Sequence, residues 1–152
     1  LRASDANIRA MAGAGVIGIL LPATAYCLQK EYAPARKMVE LGLPIAIATD
    51  CNPGTSYTES MPFVFGLSVL GMRLSISEAL VASTLNAAYS IGMSHRTGSL
   101  DVGKSADFII LDGDSPAIVA YHAGISPVMR VYKQAEPVGE CRECTGGVNS
   151  VS

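Results

Sequence analysis

Charged residues are scarce in this sequence. They make up 16% of its 152 residues, against roughly 25% in a typical soluble domain, while hydrophobic residues make up 49%. Intrinsic disorder requires the opposite balance, so we expect the chain to fold. Basic residues are in no excess either, because the formal net charge is −2 and the isoelectric point is near 5.6. The composition therefore excludes a strongly basic nucleic-acid-binding surface, and we expect no nucleic-acid partner.

Long apolar runs and targeting signals are also missing. The longest apolar stretch, from Gly15 to Leu28, is too short to span a bilayer and is interrupted by Pro22. The first residues are amphipathic and lack the pattern of a secretory signal. We therefore expect no membrane association. Because the chain begins at Leu1 rather than at a methionine and is unusually apolar, we expect it to be part of a longer protein.

Cysteine and histidine, the common ligands of zinc, number only four and two. The cysteine spacing suits no disulfide scaffold, which favours a reducing cytoplasm. Cys141 and Cys144 form a single CxxC, but they lack a second pair and lie beside a Gly-rich stretch, so we assign them no role. His95 and His122 lie in polar connectors without a second ligand at metal spacing. The chain by itself is therefore not expected to supply three or four metal ligands.

Two apolar segments predict buried parallel strands. Val16 to Leu21 and Pro44 to Thr49 are continuously apolar, whereas a strand with one solvated face would alternate. A helix predicted over Tyr32 to Gly42 lies between them and completes the strand–helix–strand unit of an α/β fold. Further helices are predicted from Ser4 to Gly13, from Glu59 to Met72, from Ile76 to Ala82 after a capping box at Ser75 and Glu78, and from Thr84 to Gly92.

The pattern changes after Gly98. Short strands are predicted around residues 100–102 and 106–112, and a last strand runs from Val128 to Gln134. The remaining residues are rich in glycine and serine, which is typical of a mobile terminus. The predicted organisation is therefore an α/β region over residues 1–95, a β segment over 96–134 and a flexible tail over 135–152.

The most informative polar residues follow the second predicted strand. Asp50 comes directly after it, and in parallel α/β sheets ligands bind at the carboxyl ends of strands. Such a carboxylate could be a metal ligand, a general base or the cap of the next turn. Asn52, Gly54 and Thr55 offer an amide, a flexible backbone and a hydroxyl, which suit an anion; equally, such a loop is often only an Asx turn. Tyr26 follows the first predicted strand and so lies at the same rim of the sheet, the carboxyl ends of its strands, as Asp50. It is therefore a candidate for lining a pocket.

Three segments carry a resemblance to a known family. Leu20–Tyr26 reads LLPATAY, Ala46–Thr55 reads AIATDCNPGT, and Gly98–Phe108 reads GSLDVGKSADF. The first two resemble the imidazolonepropionases, and the third is similar to the closing motif of the whole metal-dependent amidohydrolase superfamily. The resemblance covers residues 1–134 and about the C-terminal third of such an enzyme. It implies the C-terminal part of a (β/α)₈ TIM-type barrel, with its last two strands, and part of a small composite β-sandwich.

The resemblance also implies an activity and a site. Family members hydrolyse the cyclic amide C–N bond of 4-imidazolone-5-propanoate to N-formimino-L-glutamate, a step of histidine degradation. A Zn²⁺ or Fe ion would polarise a water, and Asp50, as a metal ligand and catalytic residue, would accept its proton and pass it to the ring nitrogen. Asn52, Gly54 and Thr55 match positions that hold the substrate's propanoate. The full-length enzyme would be a cytoplasmic homodimer acting on a small molecule.

The chain departs from the family pattern in its first half. The His-x-His pair of the first barrel strand is missing, as are the other metal-binding histidines and the substrate-contacting residues that precede this region. We therefore expect the chain to be inactive by itself. Two alternatives stay open: another amidohydrolase, such as a deaminase acting on an aromatic ring, and a non-catalytic α/β interaction fragment.

Overall fold

The computed structural model describes residues 3–140, which form seven helices and five strands. The helices are α1 (Asp5–Gly13), α2 (Pro22–Cys27), α3 (Ala35–Glu40), α4 (Met61–Leu70), α5 (Ile76–Ser83), α6 (Leu85–Ser90) and α7 (Ala117–Tyr121). The strands are β1 (Gly18–Leu20), β2 (Ile45–Ile47), β3 (Phe108–Leu111), β4 (Val128–Lys133) and β5 (Glu136–Glu140). None of the helices between residues 3 and 140 has the length and apolarity needed to cross a bilayer.

The strands β1 and β2 form a two-stranded parallel sheet, with Leu20 opposite Ile47. Together with α3 they confirm the predicted strand–helix–strand unit and an α/β fold. All three residues of β2 are buried, as predicted. The expectation of burial on both faces is wrong for β1, where Ile19 is 52% exposed, because the described part of the chain leaves that face uncovered.

Serine residues cap the N-termini of three helices. Ser4 Oγ accepts a hydrogen bond from Asn7 N in α1, at 3.2 Å. The predicted capping box of α5 is confirmed, because Ser75 Oγ accepts from Glu78 N at 3.2 Å while Glu78 Oε2 accepts from Ser75 N at 2.8 Å. Ser60 Oγ accepts from Phe63 N at 3.2 Å and caps α4, so this helix begins at Met61, later than predicted. Local hydrogen-bonding side chains thus decide where these helices begin.

The core packs around β2 and joins every helix from α1 to α5, as well as α7. It includes Ile8 and Val64, both fully buried, and Ile45 of β2. Helix α7, which the sequence does not predict, packs against α4 and buries Ala120 in the same core. The segment after residue 95 is therefore not purely β.

The second sheet is antiparallel, in the order β3–β4–β5. Phe108 and Tyr132 stack across β3 and β4, with ring centroids 4.6 Å apart. The structure differs from the predicted tail over Glu136–Glu140, where β5 pairs with the free edge of β4. The pair Cys141 and Cys144 lies outside the described residues.

The strand predicted around residues 100–102 does not form. Val102 is fully exposed, and the chain turns there instead, with Lys104 N donating to Asp101 O at 3.1 Å. Gly103 adopts φ +89°, a conformation that favours glycine in such a turn.

A bidentate ion pair connects α3 to the start of α5. Arg36 Nη1 and Nη2 donate to the two carboxylate oxygens of Glu78 at 2.7 and 2.8 Å. The hydrogen bonds from Arg36 and from the Ser75 backbone lower the pKa of Glu78 from 4.5 to about 2. Arg36 Nε also lies 3.2 Å from Glu40 Oε1, without the geometry of a hydrogen bond.

The substitution Glu78→Gln tests this pair while keeping a side chain that can complete the capping box. We expect it to lower the free energy of unfolding of the 152-residue chain at pH 7 by about 1 kcal/mol, a value discounted because the carboxylate is partly exposed. The folded-state pKa of Glu78 is depressed, so its contribution is complete above about pH 4.5 and is lost as the pH falls towards about 2. Urea denaturation at several pH values measures both effects.

Glu40→Gln is the matched control, because the Glu40 side chain is 62% exposed and contacts the same arginine. We expect no measurable change from it. A Glu78→Gln effect that is equally large at neutral pH and at about pH 2 would show that the charge is not its source.

Candidate functional site

Asp50 lies at the carboxyl end of the parallel sheet, three residues beyond the end of β2. Its backbone adopts φ +51°, a left-handed conformation that aspartate tolerates better than most residues. The side chain is half-buried, and its Oδ2 accepts a hydrogen bond from Thr24 Oγ1 at 2.8 Å. Among residues 3–140, Oδ1 has no hydrogen-bond partner. Thr24 thus holds one carboxylate oxygen of Asp50, and the other oxygen receives no hydrogen bond from the described residues.

Thr24 reaches Asp50 because α2 begins directly after β1. Pro22 occupies the start of α2, where its missing N–H costs no helical hydrogen bond. The two strands are parallel and in register, so the segments that follow them lie side by side. Residues 26 positions apart in sequence thereby come into contact.

The loop after Asp50 is organised by the Asn52 side chain. Asn52 Oδ1 accepts from the backbone N–H groups of Gly54 and Thr55, each at 2.9 Å. Asn52 Nδ2 donates to Asp50 O at 2.6 Å and to Thr55 Oγ1 at 2.9 Å. This is the Asx turn that the sequence left open as an alternative. The structure brings all four predicted site residues together, and Asn52 hydrogen-bonds to each of the other three.

Gly54 has a steric reason to be glycine at this position. A Cβ atom there would lie 3.3 Å from Asn52 Oδ1, the oxygen that accepts both turn hydrogen bonds. Such a contact is tight, so a larger residue would push against the oxygen that orders the loop.

Ser56 anchors the far end of the loop. Its side chain is fully buried, and its hydroxyl donates to Thr49 O at 2.7 Å. Asn52 N also donates to Ser56 O at 2.9 Å, which closes the loop onto itself. Thr24 and Ser56 are not among the site residues that the sequence predicts. Thr24 lies within the LLPATAY segment, but nothing in that segment indicates which side chain faces Asp50.

Tyr26 lines a cleft beside α2, as predicted. Its ring contacts Phe63 edge to face, with centroids 5.3 Å apart, and Tyr32 and Tyr57 line the same cleft. Asp50 is not among the residues that line it. The aromatic cleft and the carboxylate are therefore separate features of this rim.

No group of three or more His, Cys, Asp or Glu side chains within residues 3–140 is arranged to hold a metal ion. His95 and His122 are both exposed, as expected of surface residues. The free Oδ1 of Asp50 has the chemistry of a single oxygen ligand for a divalent cation. The described residues thus fit a metal site to which they supply one ligand.

Comparison with known proteins identifies close relatives. The chain is 70% identical over 146 residues to the imidazolonepropionase of Syntrophobacter fumaroxidans, a match that covers 96% of this chain and 34% of that protein. It is 59% identical over 138 residues to the imidazolonepropionase of Desulfotalea psychrophila, covering 91% and 33%. The chain therefore spans about a third of the length of the relatives it matches.

Solved structures with the same fold include two deaminases. An adenosine deaminase from Xanthomonas campestris, with bound zinc, superposes with a TM-score of 0.80 at 24% identity and covers 90% of this chain and 35% of its own. The guanine deaminase of E. coli gives a TM-score of 0.73 at 19% identity, covering 92% and 37%. The sequence profile of the amidohydrolase family matches residues 1–139. By this match, and with the α/β fold described above, the chain belongs to the amidohydrolase family.

Proposed function

We propose that this chain forms the C-terminal third of an imidazolonepropionase, which hydrolyses the C–N bond of 4-imidazolone-5-propanoate to give N-formimino-L-glutamate. In this proposal β1 and β2 are the last two strands of a (β/α)₈ barrel, and β3–β5 belong to a small β-sandwich. Identity of 70% to an imidazolonepropionase supports this substrate over those of the deaminases, whose structures are at most 24% identical. The observation that carries the chemistry is the free carboxylate oxygen of Asp50 at the end of β2.

Asp50 would act as the proton carrier of the reaction. Its Oδ1, free of protein partners within residues 3–140, would accept a proton from the attacking water and deliver it to the ring nitrogen as the C–N bond breaks. The same carboxylate would provide one ligand to a divalent metal, and the remaining ligands would come from outside the described residues. When bound, Zn²⁺ or Fe would supply the Lewis acid that polarises the water.

Thr55 would contact the propanoate of the substrate. Its hydroxyl lies 3.2 Å from Asn52 Oδ1, a long contact that the hydroxyl proton can exchange for a carboxylate. Asn52 and Gly54 would bind the propanoate mainly through the loop that they shape, because the polar groups of the Asn52 side chain are engaged within it. The cytoplasmic location and homodimeric assembly stay predictions of the family resemblance.

The first test uses a chimera in which this chain replaces the matching segment of the Syntrophobacter fumaroxidans enzyme. We expect the chimera to consume 4-imidazolone-5-propanoate, and Asp50→Asn to lower its kcat/KM by about 10³-fold, because an amide cannot carry the proton. Substrate consumption and circular dichroism measure activity and folding. Asp114→Asn is the control, since Asp114 is exposed and distant in sequence from the loop.

Three results would contradict the proposal. A folded chimera without activity would show that this segment does not serve that reaction. An Asp50→Asn variant that keeps near-parental activity would remove Asp50 from the mechanism. Release of ammonia from aminated purines in place of imidazolone hydrolysis would favour the deaminase alternative.

The role of Thr55 is tested by Thr55→Val in the same chimera. We expect KM for 4-imidazolone-5-propanoate to rise about tenfold with little change in kcat, because a hydrogen bond to a charged group is lost in the ground state and transition state alike. Thr55→Ser should retain most of the affinity. For a substrate analogue with a neutral amide in place of the carboxylate, Thr55→Val should raise KM by a smaller factor. An equal rise in KM for both compounds would argue against the propanoate contact.

A further inference from the structure

We propose that Thr24 is a positioning residue for Asp50, whose hydroxyl holds Oδ2 so that Oδ1 faces the reacting groups. This inference rests on the proposed function of Asp50. It extends the site from the loop after β2 to the helix after β1, and it gives a role to a residue that touches neither substrate nor metal in the proposed mechanism.

The hydrogen bond restrains a side chain that would otherwise be loosely oriented. The terminal torsion of an aspartate has a broad preference, so one unrestrained carboxylate samples many orientations. Thr24 Oγ1 has a single proton, and at 2.8 Å from Asp50 Oδ2 that proton is committed to one oxygen. Fixing Oδ2 fixes Oδ1 as well, because both belong to the same plane.

Thr24 is itself held rigidly enough to serve this purpose. Its two predecessors in α2, Pro22 and Ala23, are buried against the core. Its carbonyl accepts from Leu28 N at 3.0 Å, which closes the end of α2. The donor therefore belongs to a packed helix rather than to a free loop.

Two hydrogen bonds from different segments hold Asp50, one at its backbone and one at its side chain. Asn52 Nδ2 donates to the Asp50 backbone carbonyl at 2.6 Å, and Thr24 holds the carboxylate. The Asp50 backbone adopts φ +51°, a left-handed conformation, and the hydrogen bond from Asn52 holds its carbonyl there. Asn52 acts on the backbone and Thr24 on the side chain, so loss of Thr24 should disturb the carboxylate without unfolding the loop.

The test compares Thr24→Val, which keeps the shape and removes the hydroxyl, with Thr24→Ser, which keeps the hydroxyl. Both are made in the active chimera, with Thr84→Val as control, because Thr84 makes a structural hydrogen bond to Leu80 O. We expect Thr24→Val to lower kcat about 10- to 100-fold and to weaken Zn²⁺ binding by a similar factor, with KM within about twofold. Thr24→Ser should recover most of both losses. Competition with a chelator measures Zn²⁺ affinity independently of activity.

The outcomes separate this inference from the proposed function. If Asp50→Asn abolishes activity while Thr24→Val changes neither kcat nor Zn²⁺ affinity, the positioning role is overturned and the proposed function stands. Equal losses for the Val and Ser variants, with a lowered melting temperature, would mark Thr24 as structural only. If Asp50→Asn is itself harmless, the proposed function fails first.

Discussion

The parallel pairing of β1 with β2 is the constraint on which the candidate site depends. Leu20 lies opposite Ile47, and Ala48 N donates to Leu20 O at 3.2 Å just beyond the paired residues. The segments that leave the two strands therefore start side by side. Without this register Thr24 and Asp50 would not meet, and the carboxylate would lose the contact that orients it.

Burial of its side chains and hydrogen bonds at both of its ends hold β2 in position. All three of its residues are buried, and Ile45 and Ile47 belong to the common core. At its start, Asn86 Nδ2 from α6 donates to Ile45 O at 2.8 Å, and beyond its end the buried Ser56 hydroxyl donates to Thr49 O. A strand held in this manner fixes the start of the segment that places Asp50 three residues beyond its end.

The loop from residue 49 to 56 shows that an Asx turn and a binding loop are compatible interpretations. The Asn52 amide satisfies the backbone of the turn. Asp50 Oδ1 then lacks a hydrogen-bond partner among the described residues, and the Thr55 hydroxyl donates only over a long 3.2 Å contact to Asn52 Oδ1. Preorganised loops bind and react with less loss of entropy than flexible ones. In the proposed chemistry, Asn52 and Gly54 contribute by shaping the loop, whereas Asp50 and Thr55 contribute by direct contact.

Much of the local structure follows from short-range signals. The capping box at Ser75 and Glu78 and the apolar run of β2 each act within a few residues, so they could be read from the sequence. The strand β5 could not, because its turn at Gln134 and Ala135 uses positive φ at residues that are not typical of such turns. Helix α7 has only five residues and no side-chain cap, so it exists through its packing on α4.

The sequence by itself determined the α/β pattern, the place of Asp50 after a buried strand and the turn chemistry of the residues that follow. The tertiary structure alone decided that Thr24 faces that carboxylate, that Ile19 is uncovered and that Ala120 enters the core. The physical reason is distance along the chain: propensity, capping and turns act between near neighbours, whereas these contacts depend on strand register and on packing between elements far apart in sequence.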